Sequence, residues 1–115
     1  MQGSVYIDIA AHVAVKGPAR RAHMLGAVGV RRDGAVVIAY NLASKEKEPR
    51  AHAEARLSRK LDVGSVVYVA RVLRDGTFGI AHPCPTCMRI LRAKGVQRVF
   101  YTTGHNGDVA SKKIV

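Results

Sequence analysis

The stretch SVVYVARVL at 65–73 limits the possible folds more than any other. It is β-branched and apolar on both of its faces. A strand covered on one side alternates apolar with polar; one apolar on both sides sits inside a sheet with layers above and below. Segments of helical period flank it. AHAEARLSRKL at 51–61 repeats Ala53, Leu57 and Leu61 at i, i+4 and i+8, and PTCMRILRAKG at 85–95 turns Cys87, Met88 and Leu91 inward with Gly95 past its end. Upstream, YIDIAAHVAV sets Tyr6, Ile9, Ala10 and Val13 on one helical stripe that Gly17-Pro18 closes. MLGAVGV and AVVIAY, split by Asp33-Gly34, read as a hairpin, and VQRVFYTT and a short strand from Val109 to Ile114 follow the last helix.

The expected order is helix, strand, strand, helix, strand, helix, strand, short strand. That alternation predicts an α/β fold, a three-layer α/β/α sandwich around a central mixed sheet of about five strands. Strands joined by a crossover helix are expected to run parallel with right-handed connections. The chain has 115 residues, 48% of them apolar, which suits a single domain over 1–115. Two cysteines are too few for a disulfide scaffold, and the N-terminal stretch carries Asp8 and His12 within its apolar part. A reduced, soluble, cytoplasmic protein with no membrane segment is expected. The net charge of +11 attracts phosphates, although a solvated basic face is an equal reading. With no Trp, two Phe and four Tyr, the chain is poor in the aromatics that a dedicated single-strand platform uses.

Both cysteines stand three residues apart, in HPCPTCM at 82–88, and a His-x-Glu precedes them in HAEARL at 52–57. Cys84 and Cys87 at a helix start share a face, and free N–H groups there favour thiolate. Pro83 and Pro85 stiffen the entry. With His52 they make three metal donors. Structural zinc takes four, whereas catalytic zinc takes three and leaves a position for water. Glu54 lies two residues from His52, off its helix face, and is placed to move the water's proton as general base and then acid. A lone C-x-x-C is also a redox motif, but such motifs follow a first βαβ strand, and this one sits late in the chain.

His52-Ala53-Glu54 and Pro83-Cys84-Pro85-Thr86-Cys87 resemble the H-x-E…P-C-x-x-C signature of the zinc-dependent cytidine and deoxycytidylate deaminases. GAVGVRRDGAVVIAYN at 26–41 is similar to that superfamily's first hairpin, and the likeness runs from about Tyr6 to Tyr101. The resemblance implies a cytidine-deaminase-like fold and Zn²⁺ held by His52, Cys84 and Cys87. It implies Glu54 as the proton shuttle, and Asn41, Ala53 and Pro83 around the substrate. The expected reaction is hydrolytic conversion of cytosine to uracil in a (deoxy)cytidine nucleoside or nucleotide. Deamination of cytosine or adenine in single-stranded DNA or RNA is the alternative, favoured by the charge. A non-catalytic, zinc-stabilised nucleic-acid-binding module is a third reading, and Glu54 argues against it.

Two departures stand out: RVLRDGTFGIAH lengthens the approach to Pro83, and Met88 follows the second cysteine where nucleoside deaminases often carry Arg. The end soon after the last strand points to a homo-oligomer, dimer or tetramer, that completes its pocket between subunits. Among the other polar residues, His12 is expected to be packed or capping and His23 on the surface. His82 is expected in an exposed loop, or against substrate or metal, and His105 in a turn. Arg56 is open between a surface role and neutralising thiolate or phosphate.

Overall fold

The computed structural model describes residues 2–16, 24–41, 53–73, 75–104 and 108–114. His23, His52, Arg74 and His105, the helix end expected at Gly17-Pro18, and residues 42–51 and 106–107 lie outside them. In chain order the elements are α1 (Gln2–Lys16), β1 (Met24–Val30), β2 (Val36–Tyr40), α2 (Ala53–Ser58), β3 (Val66–Val72), β4 (Phe78–Gly79), α3 (Pro85–Ala93), β5 (Arg98–Thr102) and β6 (Val109–Lys113).

The strands form one mixed sheet in the order β2-β1-β3-β5-β6, with β4 added to β3. Among the described residues only β3 and β5, joined through α3, pair in parallel (Val66↔Arg98 to Val69↔Tyr101). A parallel pair needs a crossover, and α3 supplies it. β2 and β3, joined through α2, run the same way but are separated by β1, which pairs antiparallel with both. The expected five-strand sheet is therefore present, with a sixth strand inside RVLRDGTFGIAH. There the chain turns at Asp75-Gly76 and returns as β4, pairing Arg71↔Gly79 and Val72↔Phe78. Asp75 Oδ1 accepts from the N–H and the hydroxyl of Thr77 (3.0 and 2.6 Å), which closes the turn. The insertion extends β3 past the last β5 pair and hands the chain directly to Pro83.

Residue alternation along β3 divides the core. Tyr68 and Ala70 face α1 and pack with Ile7, Ala10 and Val28. Val67 and Val69 face α2 and α3 and pack with Ala53, Leu57, Leu91 and Val99. This two-sided burial is what the apolar run 65–73 requires. Leu57, Leu91, Val67 and Val69 are fully buried, and each contributes roughly 1.5–3 kcal/mol of transfer free energy. Tyr6, Tyr68 and Phe100 stack across the α1 face with centroids 4.9 Å apart in each pair. Gly26 lets α1 lie directly on β1: a Cβ there would stand 2.6 Å from Ala14 N and closer still to Ala10 O.

Strand β2 is an edge whose outward carbonyls are taken by α2 and the turn that follows it. Lys60 Nζ donates to Ile38 O (2.7 Å) and Arg56 Nη1 to Tyr40 O (2.6 Å). Arg56 also lies over the Tyr40 ring, 5.0 Å from its centroid. Of the two readings open for Arg56, the structure shows a strap that ties α2 to the edge strand, which also blunts that edge against pairing. His12 is exposed on α1 instead of packed, because the buried stripe runs through Ile7, Ala10, Val13 and Ala14. Among the described residues no helix is long and apolar enough to cross a membrane.

Candidate metal centre and active site

The two cysteines open α3. Cys84 is its N-cap, Pro85 occupies the first turn, and the Cys87 N–H donates to Cys84 Sγ (3.4 Å). This is the capping role that Ser or Asp usually fills, performed by sulfur. It holds both sulfur atoms at one helix end. Neither cysteine is in a disulfide; Cys87 is buried and Cys84 half-buried. The approach is pinned from the sheet: Ala81 N donates to Thr102 O (2.9 Å), and the Thr102 hydroxyl donates to Gly79 O (2.6 Å). Arg71 N donates in turn to Thr102 Oγ1 (3.3 Å). Thr102 is fully buried, so this one hydroxyl joins β3, β4 and β5 beneath the Pro83-Cys84 turn. Sequence reading passed over Thr102, since a Thr in a strand carries no sign of its partners.

The other half of the site comes from α2, whose first residues are Ala53 and Glu54. Ala53 is fully buried, and Glu54 is only 4% exposed, rare for a carboxylate. The Cys87 thiol shows what surrounds it. Burial first, and then the negative charge of Glu54, push its pKa far up, while a hydrogen bond from the Ala55 backbone pulls it down. Two helix starts thus converge, one bringing a carboxylate and the other two sulfurs. Among the described residues no three metal-ligating side chains form a cluster. The third expected donor, His52, lies outside them, one residue before Ala53.

These donors fit zinc. Two thiols and an imidazole match its borderline-soft preference, and paired sulfurs beside a carboxylate gather negative charge that a cation stabilises. Of the expected substrate contacts, Pro83 is fully buried beneath the cysteine turn. Asn41 is 8% exposed and extends the β1–β2 ladder: its N–H donates to Leu25 O (3.1 Å), and its Oδ1 accepts from Leu25 N (3.0 Å). His82 is exposed, as expected of a loop residue, and sets its ring edge-on to Tyr101 at 4.8 Å. From there a groove of about 690 Å³ follows the flank of α3 past Cys84, Met88, Arg89 and Arg92, with Lys112 of β6 opposite.

Residues 2–103 match the family described as the cytidine and deoxycytidylate deaminase zinc-binding region. The chain belongs to that family. Its cofactor is therefore Zn²⁺. Among curated proteins, none matches the chain in sequence. Solved structures share the fold of this deaminase-family chain at low identity. The cytidine deaminase of Burkholderia pseudomallei is 21% identical with a TM-score of 0.70, over 99% of this chain and 94% of that one. The cytidine deaminase of Mycobacterium leprae is 18% identical, TM-score 0.65, over 96% and 93%. The dCMP deaminase of cyanophage S-TIM5 is 19% identical, TM-score 0.62, over 92% and 86%. The mixed sheet with helices on both faces is the cytidine-deaminase-like α/β fold.

Proposed function

We propose that this deaminase-family chain converts cytosine to uracil on a nucleoside or nucleotide, with Glu54 as the catalytic acid and base. The observation that carries the reading is a buried carboxylate at the start of α2 whose charge acts on the Cys87 thiol at the start of α3. A structural metal site has no use for such a carboxylate.

His52, Cys84 and Cys87 would hold Zn²⁺, which would supply a polarised water at the site. Glu54 takes a proton from that water as its oxygen bonds to C4 of the ring. Glu54 delivers that proton to N3 and then carries the proton of the new C4 hydroxyl to the exocyclic amine; the C4–N bond breaks, and ammonia leaves as the C4 carbonyl forms. Burial keeps bulk water away from the carboxylate, so its proton passes between the reacting atoms. The Cys87 N–H at the start of α3 and the Ala55 N–H of α2, donating to Cys84 and Cys87, favour the thiolate form of the two ligands. Ala53 and Pro83, buried on either side, form walls of the base pocket. Asn41, fixed by Leu25 at the end of β2, is the proposed contact to the sugar. A reducing compartment such as the cytoplasm suits two thiols that serve as ligands.

The test is Glu54→Gln, which keeps shape and hydrogen bonding but cannot shuttle a proton. Ammonia release from cytidine and its monophosphates is expected to fall by roughly 10²–10⁴ while zinc per chain is unchanged. Turnover at the wild-type rate would remove Glu54 from its role.

A further inference from the structure

The groove along α3 shares Pro83 with the proposed base pocket and extends well past it. It starts at His82 and Cys84 and continues between α3 and the edge strand β6 to Arg92 and Lys112. Its wall beside the cysteines is apolar, made by Pro83, Pro85 and Met88; farther on it carries three permanent cations, Arg89, Arg92 and Lys112. No acidic residue among the described ones lines it. Arg89 and Arg92 are one helical turn apart on the same flank, and Arg89 is steadied by Nη2 donating to Thr86 Oγ1 (3.4 Å). Lys112 faces them because its pair partner Val99 belongs to the α2–α3 face of the sheet.

Reach identifies the occupant. Arg92 follows Cys84 by eight residues, about 12 Å along a helix axis. Three cations spread over that length can meet more than one phosphate. A second copy of this chain is a poor fit, since it brings another +11 charge to an acid-free groove.

We propose that this groove holds the phosphodiester backbone of single-stranded nucleic acid, running from the deamination site along α3. The apolar wall faces sugar and base edges, and the three cations face successive phosphates. The inference rests on the deaminase reading and extends its substrate from a free nucleoside or nucleotide to a base carried in a single strand. It adds a surface that a poor count of aromatics had made doubtful: affinity comes from charge and an apolar wall, with little ring stacking.

Zinc-loaded protein is titrated into a fluorescein-labelled single-stranded DNA of about 12 nucleotides and followed by anisotropy between about 50 and 200 mM salt. Three phosphate contacts make the slope of log K against log salt steeper by about 2, worth about 20-fold over that range. The R89Q/R92Q/K112Q variant is expected to lose that part of the slope, and R92Q alone about a third of it. The K16Q/R32Q/R59Q variant, which removes equal charge elsewhere, is expected to keep it. Equal loss of slope in both triple variants, or none in the groove variant, overturns the proposal. So does cytidine monophosphate competing as well as the oligonucleotide, mole for mole, because the site would then take one phosphate. Ammonia release from free cytidine by the wild-type protein is measured alongside. A protein that deaminates cytidine without a groove-dependent slope refutes the groove alone.

Discussion

Replacing Gly26 with Ala tests the contact that sets the α1 layer on the sheet. The added Cβ would stand 2.6 Å from Ala14 N and nearer to Ala10 O, both backbone atoms of a helix. Ordinary contact needs roughly 3.5 Å or more, so α1 must lift by about 1 Å. No side-chain rotation can absorb this. A gap of that size forfeits a quarter to a half of the affected dispersion contacts. Ile7 and Val13, 2% and 7% exposed, are the large α1 side chains that lose them. At roughly 1.5–3 kcal/mol for each buried side chain, the loss is about 1–3 kcal/mol, the usual cost of overpacking. Stiffening of the unfolded chain returns about 0.4–1 kcal/mol. The net is a loss of about 1–2 kcal/mol, or roughly 4–10 °C in Tm for a chain of this size. Thermal unfolding followed by circular dichroism measures it, with Gly34→Ala as reference. Gly34 sits at φ 90° with nothing within 4 Å of an added Cβ, so its cost is backbone strain alone. A G26A protein that melts with wild type would show that α1 does not rest on β1 through this glycine.

Three further outcomes follow from the geometry. Cys84→Ser removes a soft ligand and the sulfur that caps α3, so zinc measured by elemental analysis is expected to fall well below one per chain; full retention would place the metal elsewhere. Arg56→Ala removes a charged hydrogen bond to Tyr40 O and the contact with its ring, expected to cost about 2 kcal/mol at unchanged zinc content, and loss of zinc instead would return Arg56 to the metal site. The Asp62 carboxyl is held below its ordinary 3.8, first by the Ser65 hydroxyl; burial, the next largest effect, opposes it, and the Arg32 N–H and the Arg31 charge lower it further. Its stabilising effect is therefore complete above the unfolded value and is lost as pH falls through the lower folded value. Asp62→Asn is expected to flatten the acid limb of stability below about pH 4, and an unchanged limb counts against the Arg31-Asp62-Ser65 cluster.

Much of this was legible in the chain because its signals are local. Met24–Val30 stands as a strand over the residues that MLGAVGV marks, since a period of two is a property of neighbours. Leu57 and Leu91 are fully buried where a period of 3.6 places them. β4 was not legible: Phe78-Gly79 is two residues long, too short for any periodicity, and exists only because β3 outruns β5. Arg56 was equally opaque. A helical Arg can reach solvent, phosphate or a carbonyl, and Tyr40 O is the partner only because α2 crosses the β2 edge. The capping sulfur of Cys84 lies between these cases: the C-x-x-C spacing announced a shared face, but the hydrogen bond to Cys87 N needs the helix to begin there.

The order of residues alone determined the donor types and their spacing, and the two-sided strand that demands a layer on each face. Those properties depend on side chains a few positions apart, where backbone geometry allows few arrangements. Tertiary structure decided which helix ends meet, that the Thr102 hydroxyl ties β3, β4 and β5 together, and that Lys112 faces Arg89 and Arg92 across a groove. These groups are tens of residues apart, and strand order, which no local period encodes, is what brings them together.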